Sequence, residues 1–137
     1  MVSLLYIELT RYEVRGCKYY HSGFVCGGAE WMENHGTNEE YLDFIGLMYD
    51  LGEDPDHGFS PPNFNEINYD GRSGEKMLCF FTNEGLHRCE PIIKKMLDIL
   101  RKNGAVIDTL KYIVEIPVTD SNIAYRDQYQ AIVYWEG

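Results

Sequence analysis

The chain has no lysine or arginine between Tyr19 and Gly71. That stretch nevertheless carries eleven acids: Glu30, Glu33, Glu39, Glu40, Asp43, Asp50, Glu53, Asp54, Asp56, Glu66 and Asp70. The remainder holds twelve basic residues against eleven acids, so the net charge of −10 originates in this one block. Other absences exclude whole classes of function. No run approaches the roughly 18 apolar residues of a membrane span. Met1 to Leu9 has neither a positive n-region nor the apolar core of a secretory signal, so the expected location is the cytoplasm. There is no G-x-S-x-G, P-loop, dinucleotide fingerprint or H-E-x-x-H, so the expectation is a protein that is not an enzyme and carries no cofactor. A pI near 4.7 argues against direct binding to nucleic acid or an anionic membrane, because both need a basic surface.

What is present suits one globular domain spanning 1–137. The chain is 45% hydrophobic and has eleven Tyr, six Phe and two Trp, unlike an acidic disordered tail. Cys17, Cys26, Cys79 and Cys89 read as free thiols in a reducing compartment, with Cys79 inside the apolar run Met77 to Phe81 and therefore in the core.

Leu5, Ile7 and Leu9 alternate with Tyr6, Glu8 and Thr10, the pattern of a half-buried strand. Tyr12 to Tyr20 continues it or returns after a turn at Arg15–Gly16. His21 to Gly36 is glycine-rich without a clear period and reads as irregular. Thr37-Asn38-Glu39-Glu40 is a capping box, which predicts a helix to about Leu51 with Gly52 in the C′ position. Its apolar residues Tyr41, Phe44, Ile45, Met48 and Leu51, widened by Leu42, Leu47 and Tyr49, predict burial on most sides. Only a stripe of Glu39, Asp43, Gly46 and Asp50 is left polar. A long loop follows over 53–74, then a strand from Glu75 to Thr82. Asn83 to Glu90 is a turn or short helical segment, and Pro91 starts a main helix ending at Asn103. Leu110 to Val118 and Tyr129 to Glu136 alternate as strands, with Pro117 marking an edge. The expected fold is α+β: a mixed or mainly antiparallel sheet of about four or five strands, two main helices and a C-terminal antiparallel hairpin.

The acids at the end of the first helix oppose local electrostatics. Asp50, Glu53 and Asp54 sit where the helix dipole disfavours negative charge, by roughly 0.3–1 kcal/mol each. Glu39 and Asp43 repel across one turn. A partner-binding surface is therefore expected at Glu39, Asp43, Asp50, Glu53, Asp54 and Asp56, with aromatic anchors Trp31, Phe59, Phe64 and Tyr69. A solvated acidic face and a satellite core beneath the loop are the plain structural alternatives. Metal binding finds no support. Glu53 to Gly58 lacks the calcium-loop pattern, and Cys17, His21, Cys26 and His35 have no zinc spacing. His87 and Cys89 lie near an expected helix start, but two residues apart they face different ways.

In size, acidity and lack of catalytic motifs the chain resembles the immunity proteins that protect bacteria from polymorphic or contact-dependent toxins. The resemblance implies a non-enzymatic inhibitor that binds a basic toxin domain, such as a nuclease, by electrostatic steering and burial of aromatic anchors. A phage-type mimic of nucleic acid, and a small enzyme or ligand-binding domain with a site assembled from scattered residues, are the alternatives. Self-association is a further expectation, with the acidic block of one copy meeting Lys94, Lys95, Arg101 and Lys102 of another to form a homo-dimer.

Overall fold

The computed structural model describes residues 5–17, 23–59, 76–116 and 123–135. In order these form β1 (Leu5–Val14), α1 (Phe24–His35), α2 (Asn38–Glu53), β2 (Lys76–Phe81), α3 (Asn83–Lys102), β3 (Ile107–Ile116), β4 (Ile123–Arg126) and β5 (Gln130–Trp135). The five strands make one antiparallel sheet in the order β3-β1-β2-β5-β4, and β4–β5 is the C-terminal hairpin. The fold is α+β, as the alternating and helical periods predict.

The sheet is two ribbons joined at one place. β1 pairs with β3 along its whole length, from Leu5↔Ile116 to Val14↔Ile107, and β2 pairs with β5 from Lys76↔Trp135 to Phe81↔Gln130. Between the ribbons the only register pair among the described residues is Thr10↔Phe81. Leu9 and Val114 from one ribbon then bury with Leu78, Phe80, Ala131 and Val133 from the other. Ile7 and Val114 line the same narrow crevice as Ile123 and Arg126, so side chains from β3 and β4, the two edge strands, approach each other. A flat sheet would hold those edges about four strand spacings of 4.8 Å apart. The sheet therefore curls around this apolar cluster, where each large side chain contributes roughly 1.5–3 kcal/mol of burial.

Arg11 sits at the splay. Its side chain is only 1% exposed, and Nη1 donates to the Cys79 carbonyl at 3.2 Å. Glu13 lies 3.9 Å from Nε and supports the charge that burial penalises; burial draws the pKa of Arg11 down.

The helices differ from expectation in three ways. First, the glycine-rich stretch before Gly36 contains α1. Gly28 serves close packing: a Cβ there would run into the Phe44 ring and Leu100. Second, α3 is one helix through Pro91. Thr82 caps it, accepting from Gly85 N at 3.0 Å while its hydroxyl donates to Gln128 O at 2.7 Å, so the start is fixed eight residues before the proline. Third, α2 runs through Gly52 to Glu53, with Asp54 as its C-cap. The Arg15–Gly16 turn forms as expected, with Gly16 at φ 85°. Phe24, Met32, Phe44, Met96 and Leu100 fill the core between the helices and the Val14–Phe81 end of the sheet.

Two glycine substitutions are expected to act in opposite directions. Gly28→Ala overpacks the joint of the three helices and should cost about 1–3 kcal/mol. Gly46→Ala, where an added Cβ meets nothing within 4 Å, should gain up to about 1 kcal/mol from helix propensity. Urea denaturation of both variants checks this, and a neutral Gly28→Ala would contradict the packing.

Candidate functional site

α2 begins as its sequence dictates. Thr37 Oγ1 accepts from Glu40 N at 3.1 Å, capping the first turn. The Glu40 carboxylate does more than complete the box. Oε1 accepts from the Thr37 hydroxyl at 3.1 Å, and Oε2 accepts from Asn103 Nδ2 at 3.1 Å beside Lys102 Nζ at 3.4 Å. The Asn103 bond chiefly holds the Glu40 carboxyl below the usual carboxylate range. Glu40 is thus the latch between α2 and the C-terminus of α3.

The rest of α2 is less buried than its composition predicts. Phe44 and Leu51 are buried, but Leu42 is 58% and Tyr49 65% exposed. Among the described residues α2 meets α1 and α3, and Tyr41, Phe44, Leu47, Met48 and Leu51 join the core formed there while Leu42 and Tyr49 do not. At about 100° per residue, Leu42 and Tyr49 fall in the same sector as Glu39, Asp43, Asp50 and Glu53, all of them exposed. Gly46 lies in the middle of that sector with open space above it. The face is a strip of negative charge with two large apolar side chains set into it.

The C-terminal end of α2 is a built turn. Asp54 Oδ1 accepts from Asp56 N at 2.8 Å and His57 N at 3.0 Å, and those backbone bonds hold its carboxyl below the ordinary range. Gly58 N donates to Asp54 O at 2.9 Å and Phe59 N to Leu51 O at 2.7 Å. Arg88 from α3 clamps the far side, donating through Nη2 to Pro55 O at 2.8 Å and through Nε to Gly58 O, with its guanidinium 4.9 Å from the centre of the Tyr129 ring. Arg88 places a positive charge beside the helix C-terminus, where one is favoured.

The expected site residues therefore separate. Glu39, Asp43, Asp50 and Glu53 share one solvent-facing sector, and exposed Asp56 follows them on the turn. Asp54 is held within the turn it forms. Phe59 meets Phe81 edge-to-face at 5.7 Å and pins the start of the loop to the core. Trp31 is half-buried, donates Nε1 to Asn103 O at 3.0 Å and stacks on His35 at 3.8 Å. Phe64 and Tyr69 lie outside the described residues. Leu42 and Tyr49 are the residues that sequence reading assigned to the buried side; their angular position beside Glu39 and Asp50 was the signal that places them with the acids.

Three of the thiols are held in the protonated form at neutral pH. Burial pushes Cys17, Cys79 and Cys89 each up to about 11, and Cys89 is fully buried midway along α3 while His87 is exposed. Among the described residues no three His, Cys, Asp or Glu side chains gather as a metal site requires, and no helix is long and apolar enough to cross a membrane. Comparison with family models, with curated proteins and with solved structures returns no match, so the site is read from its own geometry.

The turn gives a pH prediction. The folded-state pKa of Asp54 lies below its unfolded value, so its contribution is complete above about pH 5 and is lost as pH falls through the folded pKa. Asp54→Asn should therefore lower the urea midpoint at pH 7, and the gap to the parent protein should narrow at pH 2.5. An equal gap at both pH values would show that the charge on Asp54 is not what the turn uses.

Proposed function

We propose that this protein is a non-enzymatic inhibitor that binds and neutralises a basic protein, a toxin domain such as a nuclease, in the manner of an immunity protein. The observation that carries this reading is the exposed face of α2, where Leu42 and Tyr49 stand among Glu39, Asp43 and Asp50. Acidic residues alone would be explained by solubility. Two large apolar side chains more than half exposed in the same sector are not, because their exposure costs burial energy that the fold leaves unused.

The mechanism follows in two stages. The block without basic residues attracts a cationic partner over a distance set by ionic strength, raising the association rate. Leu42 and Tyr49 are then buried against it, with Gly46 leaving room for a partner side chain to approach the helix backbone. The first stage governs on-rate and salt dependence; the second governs off-rate. The turn beyond Asp54 fixes the direction in which α2 ends and keeps Glu53 and Asp56 at the rim.

Co-expression with the product of the gene immediately upstream is the direct test. A basic, toxic product should be tolerated in the presence of this protein and should bind it. Asp43→Lys with Asp50→Lys should slow association and flatten its salt dependence. Tyr49→Ala should raise the off-rate tenfold or more, about 1.4 kcal/mol. A neighbouring product that is neither toxic nor bound, or binding indifferent to all three substitutions, would sink the reading.

A further inference from the structure

α3 carries a second unpartnered surface, of complementary character. An open groove of about 420 Å³ runs between α3 and β1, with Tyr12, Leu86, Ile93 and Leu97 as its apolar floor and Lys94 and Arg101 on its rim. Glu90 is the one acid on that rim, and it lies a helical turn before Lys94. The groove is on a different flank of α3 from the one that meets α2. Lys102 is turned toward α2 and pairs with Glu40, whereas Lys94 and Arg101 lie about 80–100° around the helix from it. The groove therefore lies about a quarter-turn around α3 from the side that meets α2, and the acidic face of α2 is turned to solvent rather than into it.

Their spacings match. Lys94 and Arg101 are seven residues apart on α3, and so are Asp43 and Asp50, and Leu42 and Tyr49, on α2, each interval about 10.5 Å along its axis. A helix in a groove presents anchors at this repeat, with an apolar row on the floor and a charged row on the rim. We propose that the α3 groove receives the α2 face of a second copy of this chain, Leu42 and Tyr49 entering the floor while Asp43 and Asp50 meet Lys94 and Arg101. The contact is head-to-tail, since the two surfaces differ. It takes the α2 face as the docking surface described above, and its consequence is regulatory: a copy whose α2 is seated in a neighbour's groove has no face to offer a basic partner. Lys95 and Lys102, expected from sequence to join such a surface, do not line the groove.

The test uses the full chain in sedimentation velocity at about 0.15 M salt, where the mutual repulsion of two molecules of charge −10 is screened beyond about 8 Å. The parent protein should associate as concentration rises. Lys94→Glu with Arg101→Glu, which alters only the groove, and Asp43→Lys with Asp50→Lys, which alters only the face, should each weaken association at least tenfold. Mixing the face variant, whose groove is intact, with the groove variant, whose face is intact, should give a 1:1 species and nothing larger. Circular dichroism confirms that each variant is folded. A parent protein that stays monomeric to millimolar concentration, or association that survives in both variants, overturns the proposal. The groove variant separates the two readings: its loss of self-association leaves binding of a basic partner intact, and a failure of partner binding alone leaves the self-contact standing.

Discussion

Among the described residues the two ribbons of the sheet meet at a single register pair, Thr10 and Phe81, and the described fold is arranged around that constraint. A sheet paired along every ladder satisfies its backbone groups internally. Here the ladder between β1 and β2 opens at once, and Arg11 is drawn into the gap, where its guanidinium takes up the Cys79 carbonyl. A buried cation is costly, and the 3.9 Å approach of Glu13 offsets part of the penalty. The return on this arrangement is curvature. With the ribbons splayed, Leu9 and Val114 can close on Leu78, Phe80 and Val133 without a second sheet or a helix between them.

The sheet closes around its own apolar cluster on one face, and the helices pack on the residues Tyr12, Val14 and Phe81. They gather there around Phe24, Phe44 and Leu100, and their contacts depend on close approach rather than on long seams. Asn103 is the common point. Its backbone carbonyl accepts from Trp31 of α1, and its side chain donates to Glu40 of α2. One residue at the C-terminus of α3 thus sets the positions of both other helices. That leaves α2 held along a narrow flank and open on the other, and leaves the opposite side of α3 open as a groove.

Sequence reading located the elements whose signals are local. Thr37 and Glu40 mark the start of α2, the alternation of Leu5, Ile7 and Leu9 marks β1, and the apolar run Met77 to Phe81 marks β2. It missed what depends on neighbours distant in the chain. The glycines of α1 look like loop because the role of Gly28, contact with Phe44 and Leu100, is invisible until α2 and α3 are in place. Pro91 looks like a helix start because the cap at Thr82 draws its strength partly from Gln128, 46 residues away. For the site, the acid stripe was legible from periodicity. The sector of Leu42 and Tyr49 was legible from the same periodicity, but their degree of exposure was not, since only packing says which apolar residues find a neighbour.

The acidic block also divides once its partners are known. Within this block the carboxyls of Glu40 and Asp54 are drawn below their ordinary range, and both are engaged by groups of the same molecule, Glu40 by Asn103 and Lys102 and Asp54 by the turn it caps. These two have a structural reason to be acidic. Glu39, Asp43, Asp50 and Glu53 form a separate set, exposed and in one sector, and within it Asp50 and Glu53 lie at the helix end where the backbone disfavours them. An arrangement that served solubility alone would scatter such charges and would not set two large apolar side chains among them. Exposed charge and exposed apolar side chains, together on one face of α2 and without partners among the described residues, are what the proposed docking surface rests on.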